Sequence, residues 1–190
     1  MNETQLQELR EEIRLSTPAY GTHGFEHIDR VYSTCLLIGG VEKADMETLL
    51  PAALLHDVGR GEEDHASVGA EKAKAILRRY EQPDENIEKI AAAISTHSFS
   101  GHKPPQTLEA KILSDADKLD ALGAIGIYRT AVYSGEHSRP IGEFMAHFDE
   151  KLFRLEDLLF TEEAKRIAKS RTRYMIDFVT RLKFELAQKN

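Results

Sequence analysis

Apolar residues in this chain recur every three or four positions through segment after segment, and single alternation with polar ones is not what organises them. A stripe with a 3.6-residue period can be buried only along one side of a helix, so the pattern specifies packed helices and leaves a sheet without a source. The expected fold class is all-α. Thr4 with Gln7 forms a capping box ahead of Leu6, Leu9 and Ile13, and Ser16-Thr17-Pro18 closes that first helix. A second helix starts near Gly24, turns His27, Val31, Cys35 and Ile38 inward, and is expected to stop at Gly39-Gly40. The third stretch runs from Asp45 to Val58, with Pro51 either kinking it or marking the first turn of a shorter helix, and ends at Gly59 and Gly61. Asp64 caps a fourth helix with the stripe Ala66, Ala70, Ala73, Leu77 and Tyr80, and Pro83-Asp84 opens a fifth bearing Ile87, Ile90, Ile94 and His97. After Pro104 and Pro105 a helix runs from Thr107 to about Asp120, and Gly123 and Gly126 then interrupt a small-residue segment. The last helix, Thr161 to about Ala187, is the longest. Its stripe of Ile167, Tyr174, Phe178, Leu182 and Leu186 suits either a core or a homodimer face.

No repeat or Gly/Ser/Pro linker divides the 190 residues, so a single domain over 1–190 is expected, with C-terminal helices at about 140–187 packing on a core at about 20–130. Lys and Arg number 25 against 32 Asp and Glu; the net charge of −7 has the wrong sign for gripping nucleic acid through its phosphates. The longest apolar runs, Leu49 to Leu55 and Ala121 to Tyr128, fall far short of the roughly 20 residues of a membrane helix. The N-terminus is polar and acidic, unlike a signal peptide, and Cys35 has no cysteine partner. A reducing cytoplasm is the expected location.

Periodicity and apolar context turn an unusual set of ionisable residues inward: His27, His56, Asp57, His97, Asp115 and Asp117, with His65 nearby. A buried carboxylate must find a cation, hydrogen bonds or a raised pKa, and one metal ion would serve the whole set. His56 and Asp57 end a hydrophobic helix. Neighbours on a helix diverge by about 100°, so both can reach one ion only if it lies beside the helix end and takes further ligands from other helices. Two imidazoles and two carboxylates suit Mn, Fe or another octahedral divalent ion, leaving positions for water and a substrate oxygen.

These residues sit in Gly24-Phe25-Glu26-His27-Ile28-Asp29-Arg30-Val31, Leu54-Leu55-His56-Asp57-Val58-Gly59 and Ile112-Leu113-Ser114-Asp115-Ala116-Asp117-Lys118-Leu119-Asp120. The chain thereby resembles the HD-domain superfamily of metal-dependent phosphohydrolases, whose motif is a His, a His-Asp pair and a distant Asp. The segments ending at Arg129 and running from His147 to Leu152 extend the resemblance to small, single-domain microbial nucleotide hydrolases, over roughly residues 20 to 185. The resemblance implies an HD-type helical bundle with His27, His56, Asp57 and Asp117 as metal ligands; Asp115 does not hold a ligand position. It implies Mn as the expected metal, with Mg, Fe, Co or Ni as alternatives. It also implies hydrolysis of (deoxy)nucleoside triphosphates to monophosphate and pyrophosphate, by attack of a water that the metal activates.

Relatives with two metals use additional histidines, but the spacing of His65 and His97 does not follow that pattern. These two are assigned to holding the attacking water, donating to a phosphate oxygen or protonating the leaving group, against the alternative of ordinary core histidines. His23, Arg60, Lys118 and Arg129 are the candidate contacts to substrate phosphates, against turn or ion-pair roles. His102 and His137 lie in polar loops and are read as solvated. Pocket walls that choose the substrate are sought in Ser98 to Pro105 and in 134–148. The rival functions are a nucleoside monophosphate phosphatase, a cyclic or alarmone nucleotide hydrolase, and a module that senses nucleotide or metal without catalysis. A structural zinc site is excluded by the single cysteine.

Overall fold

In the computed structural model, α-helices and short 3-10 turns make up the regular structure, and no strand occurs among the described residues, 1–19, 21–98 and 104–188. The all-α class read from the apolar periodicity is therefore the observed one. His102 lies outside the described residues, as does most of the proposed wall from Ser98 to Pro105. No helix among the described residues is long and apolar enough to cross a membrane.

The chain forms two compact units, Met1–Asp117 and Lys118–Asn190. In the first, α1 (Glu3–Ser16) is capped by Asn2, two residues earlier than the Thr4 box: the Asn2 side chain accepts from the Gln5 amide at 2.9 Å, and Gln5 Oε1 accepts from the Asn2 amide at 3.2 Å. Asn caps as well as Thr, and the earlier start gives the helix more of its own hydrogen bonds. α2 (Phe25–Glu42) runs through Gly39-Gly40 and ends at Lys43, which is left-handed with φ 58°. Gly39 serves packing here. A Cβ on it would lie 2.6 Å from Leu49 Cδ2 and 2.8 Å from Met46 Sδ, so its bare backbone lets the next helix approach.

That next helix, α3 (Met46–Leu55), is capped by Asp45 and begins well before Pro51, which sits in its interior. Its residues from Thr48 to Leu55 are all buried, and it packs against α1, α2 and α5 (Asp84–Ser95). A helix that is apolar all round belongs at the centre of a core. α4 (His65–Arg79), capped by the Asp64 carboxylate, packs on α5 through Ala66, Ala70, Ala73 and Leu77. α6 (Leu108–Asp120) supplies Ile112, Leu113 and Ala116 as buried residues.

In the second unit, Gly123 and Gly126 of the small-residue segment lie in the first turn of α7 (Gly123–Glu136). Gly123 takes φ +75°, and a Cβ on Gly126 would lie 2.2 Å from the Ala121 carbonyl oxygen. α8 (Ile141–Glu150) and two 3-10 turns lead to α9 (Glu162–Ala187), which packs on α7. The buried stripe of α9 is Ala164, Ala168, Thr172, Met175 and Val179, whereas Tyr174 and Leu186 of the expected stripe are exposed. Small residues allow close helix approach and so take the inner face from bulkier neighbours.

The turn after α3 is held by a close backbone crossing: a Cβ on Gly59 would lie 2.2 Å from the His65 carbonyl oxygen and 2.5 Å from the Gly69 amide nitrogen. Backbone cannot give way as a side-chain tip can. Gly59→Ala is expected to lose about 1–3 kcal/mol of stability, with a lowered Tm in thermal unfolding. Gly40→Ala, at a helical position with nothing within 4 Å of the added carbon, should leave the Tm unchanged or raise it.

Candidate metal centre

Five imidazoles stand in a row inside the first unit, each edge-on to the next: His23 to His27 at 5.6 Å between ring centroids, His27 to His56 at 5.2 Å, His56 to His97 at 5.3 Å and His97 to His65 at 5.5 Å. Local structure explains each position. His27 lies in the first turn of α2, on its buried face, and is 1% exposed. His56 follows the last residue of α3, so the buried helix carries it to full burial. His97 lies just past α5, where Ser114 of α6 donates its hydroxyl to the His97 carbonyl at 2.9 Å. His65 opens α4.

Hydrogen bonds set which nitrogens carry lone pairs. His56 Nδ1 donates to the Ala53 carbonyl at 2.8 Å and His97 Nδ1 donates to the Ile94 carbonyl at 2.6 Å, so both present Nε2 as a donor of electrons. Arg60 donates to His23 Nε2, placing the ring hydrogen on Nδ1, which donates to Asp57 Oδ2 at 3.2 Å. His23 and Arg60 thus orient Asp57, a positioning part beside the phosphate contact expected of them.

The four residues expected as ligands come together. His27 Nε2 lies 3.2 Å from His56 Nε2, 3.4 Å from Asp117 Oδ1 and 3.8 Å from Asp57 Oδ2, and His56 Nε2 lies 3.9 Å from Asp57 Oδ2. Nitrogens about 3 Å apart suit neighbouring positions around an ion bound at roughly 2.1 Å. Among the described residues, three donor triplets lie each within 4.8 Å: His23, His27 and Asp57; His27, His56 and Asp117; and Asp57, His65 and His97. The mixed nitrogen and oxygen donors, with both carboxylates held beside imidazole lone pairs, fit a divalent transition ion. His65 and His97 share Asp57 with the expected set, an arrangement their sequence spacing did not display.

Burial alone would raise the Asp57 carboxyl, but His56, His23 and His27 around it outweigh burial and hold it well below the ordinary carboxylate range. Asp117 follows the same balance: burial raises it, and His27, His56 and His97 prevail and lower it. Both carboxylates are therefore charged and ready to bind a cation. Burial, then the neighbouring His56, pushes His97 down to about 4, and burial, then Arg60, lowers His65. Asp115 is fully buried two residues before Asp117.

Lys118 and Arg129 belong to the second unit. Lys118 is buried, its Nζ 5.2 Å from the Phe160 ring centroid, and Arg129 Nη1 pairs with Asp120 Oδ2 at 2.8 Å, with little of either side chain exposed. His137 is exposed and stacks on Tyr133 at 4.0 Å. A groove of about 780 Å³ opens beside His23 and Asp57, lined from α1 and α4 by residues that include Glu12, Lys72 and Arg79. Sequence reading missed these residues: each resembles an ordinary charge on a solvated helix face.

The HD domain family model matches residues 24–122. The uncharacterized protein YpgQ of Bacillus subtilis is 31% identical over 173 residues, covering 86% of this chain and 84% of that protein. The crystal structure of YpgQ in complex with ADP is 28% identical with a TM-score of 0.80, covering 94% of this chain and 98% of that one. An HD-superfamily hydrolase from Bacillus thuringiensis is 32% identical with a TM-score of 0.81, over 98% of this chain and 99% of its own.

His97 gives the metal-free protein a defined pH response. Its pKa is about 4 in the folded state against an ordinary value of 6.5, so the unfolded chain binds the extra proton first. The stability from its neutral form is complete above 6.5 and is lost as pH falls toward 4. In chelator-treated protein the Tm should drop between pH 7 and pH 5, and His97→Gln should flatten that slope in parallel melts.

Proposed function

Because the chain belongs to the HD domain family, we propose that it is a divalent-metal-dependent phosphohydrolase that cleaves (deoxy)nucleoside triphosphates to monophosphate and pyrophosphate. One observation carries this reading: His27 of α2, His56 and Asp57 just past the end of α3, and Asp117 of α6 converge on one small volume, with imidazole nitrogens and carboxylate oxygens 3.2 to 3.9 Å apart. The ADP complex of YpgQ supports a nucleotide as the substrate class, since it binds one in a relative of the same fold.

His27, His56, Asp57 and Asp117 would hold the ion; their mixed donors suit a divalent ion such as Mn or Fe, and the family resemblance favours Mn. When bound, the ion polarises a phosphate oxygen and lowers the pKa of a water. The chain's own groups do the rest. The Ala53 carbonyl fixes the His56 ring, and Arg60 and His23 aim Asp57, so the site needs little reorganisation when charge develops on phosphorus. Arg60, 44% exposed at the rim, is placed to draw in polyphosphate against the protein's net charge of −7. His97 and His65 are both lowered below the ordinary imidazole value, so at neutral pH both rings are uncharged and each is able to accept a hydrogen bond. They are poor acids there, which favours the water-holding role over protonation of a leaving group. Pyrophosphate leaves as an anion without needing that proton.

Asp57→Ala should abolish both Mn uptake, measured by calorimetry, and turnover. Phosphorus NMR of the Mn-loaded wild-type protein with nucleoside triphosphates should show pyrophosphate and monophosphate only. Free phosphate from a monophosphate substrate would replace this reading with a nucleotidase, and tight nucleotide binding without any product would replace it with a sensor.

A further inference from the structure

The groove beside the candidate metal centre has two walls built on single helix faces. Lys72, Ala75, Ile76 and Arg79 of α4 are spaced three, four and seven positions apart, which places them on one stripe about 10 Å long. Opposite them stand Glu12, Ile13 and Ser16 of α1, and Ile28 and Val58 complete an apolar floor. The stripe is distinct from the buried one of α4, which runs through Ala66, Ala70, Ala73 and Leu77. Charge is distributed unevenly along this trough. One end holds His23 and Asp57 of the donor cluster with Arg60 beside them, and Lys72, paired with Glu62, follows on α4; the middle, at Ala75, Ile76, Ile13 and Ile28, is apolar; the far end holds Arg79, fixed by an ion pair to Glu12, whose other oxygen accepts from the Tyr80 hydroxyl at 2.9 Å.

A free polyphosphate has no use for an apolar middle, and an acyl chain has none for cations at both ends. A nucleotide matches both: phosphates at the Arg60 end, a flat, largely apolar base in the middle, and a planar guanidinium able to stack on the base or bond its edge. The volume of about 780 Å³ falls within the usual range for small-ligand sites. We propose that this groove seats the nucleoside of the substrate, its base lying over the Ala75 and Ile76 face of α4 and against Arg79, with the phosphates directed at Asp57, His23 and Arg60. The assignment rests on the phosphohydrolase reading and adds to it the direction in which the nucleotide lies. It makes the α1 and α4 walls, rather than segment 134–148, the place where bases are distinguished.

Calorimetric titration of Mn-loaded protein with ADP and, separately, with inorganic pyrophosphate tests the assignment. Ala75→Gln adds neutral bulk to the trough at an exposed helical position, and Arg79→Ala removes the far cation, also at an exposed position; unchanged thermal melts establish that both variants fold. The expected result is ADP affinity weakened about tenfold in Ala75→Gln and several-fold in Arg79→Ala, with pyrophosphate affinity within about twofold of wild type. ADP binding that survives both substitutions overturns the assignment, as does an equal loss for ADP and pyrophosphate, which would put phosphate in the trough. Wild-type protein that binds neither probe overturns the phosphohydrolase reading and this one with it.

Discussion

The burial of α3 on all sides is the constraint from which the first unit follows. Eight consecutive residues from Thr48 to Leu55 are removed from water, so neighbouring helices must cover every face and no direction is left open except the helix end. That end is where His56 and Asp57 emerge. A short, fully enclosed helix has few ways to shift, and the two residues after it inherit its rigidity. The bare backbones of Gly39 on one side and Gly59 on the other bring α2 and α4 close enough to close the shell.

Within that shell, charge is handled by mutual compensation. Asp57 and Asp117 would be costly in an apolar interior, yet the imidazoles that surround them more than repay burial and keep both carboxylates ionised. The same burial keeps His97 neutral. The cluster therefore holds anionic oxygens and imidazole lone pairs at once, which is the electronic condition for gripping a divalent cation. Exposed charge plays a different part at the rim, where Arg60 is free to meet solvent while still oriented by His23.

What could be read from the sequence depended on how local each signal was. His27, His56 and Asp57 were legible because each rides on an apolar period or abuts an apolar run, and the helices carrying them appear close to the expected limits. Asp64 acts as the cap its chemistry suggested for α4. Where packing across distant segments decides, local pattern misled. Gly39 and Gly40 looked like a stop signal but serve a helix crossing, and on α9 the small residues Ala164 and Ala168 took the inner face that Tyr174 and Leu186 had seemed to claim. The trough along α4 was illegible for the same reason. Lys72, Ala75, Ile76 and Arg79 become a wall only because α1, some sixty residues earlier in the chain, stands opposite.

The candidate ligands come from α2, the end of α3 and α6, at positions 27, 56, 57 and 117 of the chain. A cation held there would act as a further cross-link among three helices, added to their packing and to the hydrogen bond from the Asp45 amide at the head of α3 to Glu109 of α6. Affinity for the ion and resistance to unfolding then become one linked quantity, since an unfolded chain cannot assemble the donors and free ion in solution pulls the equilibrium toward the folded form. Metal supply would thus govern how long the protein survives in a cell as well as how fast it works.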